Sequence, residues 1–304
     1  MGQDRISKAR RNLVASQSIA INATWGTTDD GQPEVFIQND ECDSVSDLVM
    51  SCDKAEVARV CHVFNHKSKA CAESISVYEL PLKGGYFFRS KLAVDVDGAP
   101  RAYHPKDLRP SSGNNTKALD WLDNVSSNDL HGIQGKDGVG PESGFFVSAT
   151  TLSNPDFPEN DTRHWVDAEQ IPYVVLISSF PRLQNPALNV RKGDCAMVID
   201  LRTGANSPAI FADVGSAVGE GSLKLAFNLG LDPTKSRTPP KVIGFDRIDF
   251  LHIVFPNTQI AAPWLLKDIN AKTETAFQEW GGWLQARECF PTLPARLTPS
   301  VGPS

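Results

Sequence analysis

The sequence predicts a mainly β protein with a few helices. Apolar runs of about four to eight residues, rich in Val, Ile and Phe, are separated by Gly, Pro, Asn and Asp, as strands are by turns. Between Tyr86 and Phe255 these runs are GYFFRSKLAVDVDG, SGFFVSAT, IPYVVLISS, DCAMVIDLRTG, PAIFADVG and DFLHIVF. They do not alternate regularly with helical patterns. This predicts a closed or sandwiched β architecture rather than a parallel sheet of βαβ units.

In chain order, three regions are expected: 1–80, 81–258 and 259–304. The first carries Cys42, Cys52, Cys61 and Cys71, spaced too widely for the Cys-x-x-Cys pairs of a structural zinc. One or two disulfides in an oxidising compartment are expected, while Cys195 and Cys289 either pair or remain buried thiols. From Ser46 to Phe64, the spacing of Leu48, Val49, Val57, Val60 and Val63 predicts a helix, making this region a small helical or irregular extension. It holds 8 basic and 12 acidic residues, so most of the chain's formal charge of -6 resides here.

The middle region is expected to be the barrel or sandwich, with short helices at Thr116 to Leu122 and Ser222 to Leu229. Ser222 would cap the second helix and Gly230 end it. In the last region Ile269, Thr273, Ala276, Phe277, Trp280 and Leu284 form an amphipathic stripe, weakened by Gly281-Gly282, that would pack on the β core. The proline-rich tail from Phe290 is expected to be disordered.

Composition excludes several function classes. With 30 basic and 36 acidic residues, the chain lacks the Lys and Arg excess of a nucleic-acid footprint. Its longest apolar runs, Ile171 to Ile177 and Ile248 to Phe255, fall far short of the ~20 residues that span a bilayer. Near the start, Lys8, Arg10 and Arg11 precede a stretch interrupted by Ser16, Gln17 and Ser18, so no signal peptide is read. There is no P-loop, dinucleotide fingerprint, EF-hand loop or Gly-x-Ser-x-Gly elbow. No cofactor, metal, nucleic acid or membrane partner is expected, and the default is a monomer.

The most informative stretch is AIFADVGSAVGEGSLKLAFNLG. A strand ends near Asp213, a glycine-rich turn follows, and Glu220 stands just ahead of the helix at Ser222. Gly215, Gly219 and Gly221 allow a fold that brings the two acids into the ~6.5 to 9.5 Å range of an inverting glycosidase pair. By residue type and spacing alone, an ordinary turn acid and an ordinary helix-start acid explain them as well.

The stretch resembles the signature of the glycoside hydrolase family 75 chitosanases, in which a strand-end Ala-Asp-x-Gly motif is followed by Gly-Glu-x-Ser opening a helix. Further likenesses run in order over about residues 81 to 258: KLAVDVDGAPRAYHP with KALDWLDN, GFFVSATTL, VDAEQIPYVVL, GDCAMVID and IDFLHIVFPNT. The chain departs from the family at Ser216, where proline is usual. A shorter resemblance, to the Asp-x-Gly turn of double-psi β-barrels, implies a six-stranded barrel core.

The family resemblance implies a secreted enzyme that hydrolyses β-1,4-linked glucosamine polymer with inversion, with Asp213 and Glu220 as the catalytic pair. By analogy Glu220 is the acid and Asp213 the base, although a helix N-terminus at Glu220 would favour its ionised form. Because each glucosamine carries an ammonium, carboxylates and aromatic faces are expected in the cleft. Asp95, Asp97, Tyr103 and Asp194 stand in family-like motifs and are the substrate-binding candidates. Each also has a plainer reading: Asp97-Gly98 as a hairpin turn, Tyr103 as barrel packing, Asp194 as a turn acid.

Overall fold

The computed structural model describes residues 23–27, 33–37, 52–80, 83–108, 116–125, 130–133, 144–178, 180, 189–234 and 241–294. The chain divides into two compact units, Met1–Ser46 and Asp47–Ser304. In the first, β1 (Ala23–Thr27) and β2 (Pro33–Ile37) pair antiparallel. Cys42 and the tail beyond residue 294 lie outside the described residues.

The second unit is built on a closed six-stranded barrel. Its strands are β5 (Tyr86–Asp95), β8 (Tyr173–Ile177), β9 (Cys195–Asp200), β10 (Asn206–Gly215), β11 (Glu220–Ser222) and β12 (Phe245–Phe255). Around the barrel the order is β11-β8-β10-β9-β12-β5, and β11 pairs with β5 to close the ring. Pairs β10–β8 and β11–β5 are parallel and the other four antiparallel, so this is not an up-and-down barrel. Strands β3 (Ala55–Asn65) and β4 (Ala70–Glu79) extend the same sheet from the first half of β5, through Tyr78 opposite Phe87.

Two sequence expectations are corrected here. The segment expected as a helix up to Phe64 is the strand β3, which pairs with β4 in the barrel's sheet. Register shifts between Glu56 and Ala58 and between Cys61 and Val63 insert extra residues into β3. Apolar residues three apart can then return to one face, and the spacing imitates a helical period. Val57, Val60 and Val63 are β-branched and suit a strand. The short helix expected at Thr116 to Leu122 is likewise absent, because Lys117 has φ 66°; only a 3-10 turn, Leu122–Asn124, forms.

Alternation along the strands divides the barrel wall into two faces. Phe88, Leu92, Val174, Leu176, Val198, Phe211 and Phe250 form one buried cluster, the barrel interior. The outer face of β9 and β12 is covered by α2 (Leu266–Trp280) and α3 (Gly282–Cys289), with Phe277, Trp280 and Phe290 packed on Met197, Ile199 and Ile253. The expected C-terminal stripe is buried from Ile269 to Trp280. Leu284, however, is 81% exposed, because Gly281 at φ 118° ends α2 and starts α3 in a new direction. The outer face of β5, β8 and β10 is covered by the excursion between β5 and β8, which contains the antiparallel pair β6 (Leu130–Ile133) and β7 (Phe146–Ser148). Helix α1 (Leu223–Asn228) follows β11 and is capped as expected, Ser222 Oγ accepting from Leu225 N at 3.1 Å.

Among the described residues two disulfides are present, Cys61–Cys71 within the β3–β4 hairpin and Cys52–Cys289 joining the chain ahead of β3 to the end of α3. Cys195 is a buried thiol. No helix among the described residues is long and apolar enough to cross a membrane. Because Cys52–Cys289 closes a loop of 237 residues, Cys52→Ser with Cys289→Ser is expected to lower the unfolding free energy. The loss should be about 3 to 5 kcal/mol in guanidinium titration, through the larger entropy of the opened unfolded chain.

Candidate active site

Asp213 owes its position to a bulge. Along β10, Phe211 lies opposite Val174 and belongs to the interior, while Asp213 lies opposite Val175 after a register shift between the two. The extra residue, Ala212, packs in the outer cluster with Val175. Strict alternation would have sent Asp213 into the barrel; the bulge turns it onto the outer face instead. There its Oδ1 accepts the Thr151 N–H at 2.7 Å, and the side chain is 8% exposed.

Glu220 opens β11 and lies opposite Val175 on one side and Ala93 on the other. Val175 therefore separates Asp213 from Glu220, and paired residues share a face. Two strand spacings put their backbones about 10 Å apart. Gly215 keeps the space between them clear: a Cβ there would come 2.9 Å from Val175 Cγ1 and 3.6 Å from Glu220 Oε2. Gly219, at φ 89°, could not carry a side chain at all, because its Cβ would overlap Ser90 Oγ. The helix that follows begins only at Leu223, so Glu220 does not cap it.

Asp95 ends β5, opposite Ser222 of β11. Asp97 follows in a turn, its N–H donating to Asp95 Oδ1 at 2.9 Å, and Gly98 at φ 77° completes the bend. Tyr103 Oη donates to Asp97 Oδ1 at 3.3 Å, and Tyr173 Oη donates to the Asp97 carbonyl at 3.1 Å. The turn reading of Asp97 and the site reading thus both hold. Carboxylate oxygens of Asp95, Asp97 and Asp213 lie within 4.8 Å of one another, the one such group of three potential metal ligands among the described residues. Oxygens so close require a shared proton or a cation to offset their repulsion.

Protonation is one way to meet that requirement. Burial, then the neighbouring Asp97 and Glu220, holds the Asp95 carboxyl well above the usual range. Burial and then the Asp213 charge push Asp97 up to about 8. Glu220 is raised to about 7, first by burial and then by Asp213, with Lys91 opposing. The Tyr103 and Tyr173 phenols are raised as well, chiefly by burial, and remain donors.

A cleft of about 280 Å³ opens over these groups. Asp95 and Glu220 line it from barrel strands, and Asp97, Tyr103, Asp120, Asn124 and Val125 from the excursion between β5 and β8. Asp213 belongs to the carboxylate group but is not among the residues that line the cleft. Five of the six residues singled out from the sequence are thus brought together: Asp95, Asp97, Tyr103, Asp213 and Glu220. Asp194 is not among them. It is fully buried, accepting from Arg191 N at 2.6 Å and Thr258 N at 2.8 Å, and ties two turns together. Following Gly193 at φ 89°, its side chain turns inward, so it is the turn acid and not a substrate contact. Sequence reasoning missed Asp120 and Asn124, and also Thr151, whose N–H holds Asp213.

No protein-family model matches the chain, and no curated protein does.

Carboxyls raised in the fold ionise later there than in the unfolded chain, so stability is full near pH 4 and lost as pH rises toward the folded values. For Glu220 that loss ends near 7 and for Asp97 near 8. Urea unfolding at pH 5 and pH 8 is expected to show the wild type less stable at pH 8. Asp97→Asn should shrink the difference.

Proposed function

We propose that this chain is an endo-acting glycoside hydrolase that cleaves the β-1,4 linkages of chitosan by an inverting acid/base mechanism. The observation that carries the reading is the placement of Asp213 and Glu220 on one face with Val175 between them, beside a carboxylate-rich cleft. Side chains approaching from two strands whose backbones are about 10 Å apart fit the ~6.5 to 9.5 Å separation that leaves room for a water.

The electrostatics support a division of labour. Glu220, raised to about 7, keeps a proton near neutrality and is the acid. It donates that proton to the glycosidic oxygen as the bond to the anomeric carbon breaks and its electron pair passes to the departing oxygen. Asp213, whose Oδ1 accepts the Thr151 N–H, is assigned as the base. It takes a proton from the water that attacks the anomeric carbon on the opposite face.

The cleft supports the substrate class: among the described residues its polar lining is Asp95, Asp97, Tyr103, Asp120, Asn124 and Glu220, with no Lys or Arg. Such a lining, rich in oxygen acceptors, suits a sugar polymer that offers hydroxyl and amine donors. The resemblance to family 75 chitosanases points the same way, and the two disulfides support an oxidising, extracellular location.

Wild-type protein is expected to release reducing ends from soluble chitosan, initially as the α-anomer by proton NMR. Asp213→Asn and Glu220→Gln are each expected to reduce the rate by on the order of 10² to 10⁴. Binding without release by the wild type would instead make this a non-hydrolytic polysaccharide-binding barrel. Release from a neutral glucan or peptidoglycan but not from chitosan would overturn the substrate class. A second expectation concerns pH: the rate should fall as pH rises through about 7, where Glu220 loses its proton. A rate still rising beyond pH 8 would overturn the assignment of the acid.

A further inference from the structure

The two sides of the cleft differ in kind. On one side, at and just beyond the end of β5, Asp95 and Asp97 belong to a closed group: their oxygens crowd one another and Asp213, and Tyr103 Oη and the Asp97 N–H hydrogen-bond to them. A carboxyl in such a group carries a proton for much of the neutral range, and a neutral carboxyl is a poor partner for a cation.

The other side is built otherwise. The run Thr116 to Val125 is stitched to the rest of the unit by backbone hydrogen bonds: Leu119 N to Arg101 O at 2.9 Å, Asp120 N to Ala102 O at 3.0 Å, Leu122 N to Asp107 O at 2.8 Å and Val242 N to Leu119 O at 2.9 Å. Lys241 secures it from beneath. Its side chain is fully buried, its Nζ donates to Asp107 Oδ2 at 2.7 Å and to Ala118 O at 3.0 Å, and it lies 4.6 Å from the centre of the Trp121 ring. On this fixed wall, Asp120 Oδ1 accepts the Trp121 N–H at 2.8 Å and the Asn124 side-chain amide at 3.0 Å. Two donors on one oxygen orient the carboxylate and favour its charge.

We propose that Asp120 determines specificity, receiving the 2-ammonium of a glucosamine residue seated in the cleft opposite Glu220. The inference rests on the hydrolase reading for its substrate class, but Asp120 is assigned by the cleft's geometry. A sugar spanning the cleft would meet the acid on one wall and a fixed anion on the other. An N-acetylated residue offers no cation to that anion and gains nothing from it.

The test uses glucosamine hexamer and N-acetylglucosamine hexamer, with binding measured calorimetrically on Glu220→Gln protein so that the ligand survives. Adding Asp120→Asn keeps the Oδ1 acceptor and removes the charge. Affinity for the glucosamine hexamer is expected to fall about tenfold, the scale of one charge-assisted hydrogen bond, and to lose part of its salt dependence. The ratio of affinities for the two hexamers should fall with it, and Asp120→Glu should restore part of that ratio. A ratio unchanged within about twofold, or a glucosamine hexamer that does not bind at all, overturns the inference. Reducing-end release by the wild type is measured alongside. Asp120-dependent binding without release sinks the hydrolase reading and leaves Asp120 standing, whereas release with an unchanged ratio does the reverse.

Discussion

The architecture depends on the shortest strand of the barrel. Strand β11 has three residues, Glu220 to Ser222, yet it pairs with β5 on one side and β8 on the other and so closes the ring. Its backbone is held where side chains would not fit: a Cβ at Gly219 would overlap Ser90, and one at Gly221 would come 2.8 Å from the Tyr173 carbonyl. Ser222 then serves two elements, accepting from Tyr173 N at 3.0 Å as well as capping α1. The residue that closes the wall and the proposed acid are one and the same, Glu220. Stability and chemistry therefore constrain a single short segment.

Carboxylates gather on a face that the excursion between β5 and β8 covers with apolar residues. Val96, Ala99, Ala102 and Val166 pack there against Val175, Ile210 and Ala212, and this cover makes the environment poor in water. Burial is the largest cause of the upward shifts of Asp95, Asp97 and Glu220, with mutual repulsion next. The fold tolerates this because the barrel interior and the helix-covered face hold large separate apolar clusters. The β3–β4 hairpin braces the turn between Asp213 and Glu220, where Val218 N donates to the Cys61 carbonyl at 2.8 Å, and it also holds β5, where Lys91 N donates to His62 Nε2 at 3.3 Å.

Much of this was legible in the sequence, because apolar runs and turn formers mark β5, β7 to β10 and β12 directly. What escaped has identifiable physical causes. Glu220-Gly221-Ser222 contains no apolar residue, so β11 reads as a turn. Bulges gave β3 a false helical period and placed Asp213 on the outer face in a way that period-two counting does not foresee. The gathering of Asp95, Asp97, Tyr103, Asp213 and Glu220 was legible only through the family resemblance, since spacing alone left ordinary turn acids as good an account. Asp194 matched a motif but not the site, its carboxylate drawn inward by two backbone donors. Asp120 lies in the family-like stretch KALDWLDN, but nothing local marks it as a cleft residue, because its position depends on the buried Lys241, more than a hundred residues downstream.

The bond between Cys52 and Cys289 encloses the whole barrel, its covering excursion and both C-terminal helices in one covalent circle. Any single peptide bond inside that circle can be severed without releasing a fragment. A nick by a protease would turn the chain into a permuted polymer whose pieces still share one molecule and one effective concentration.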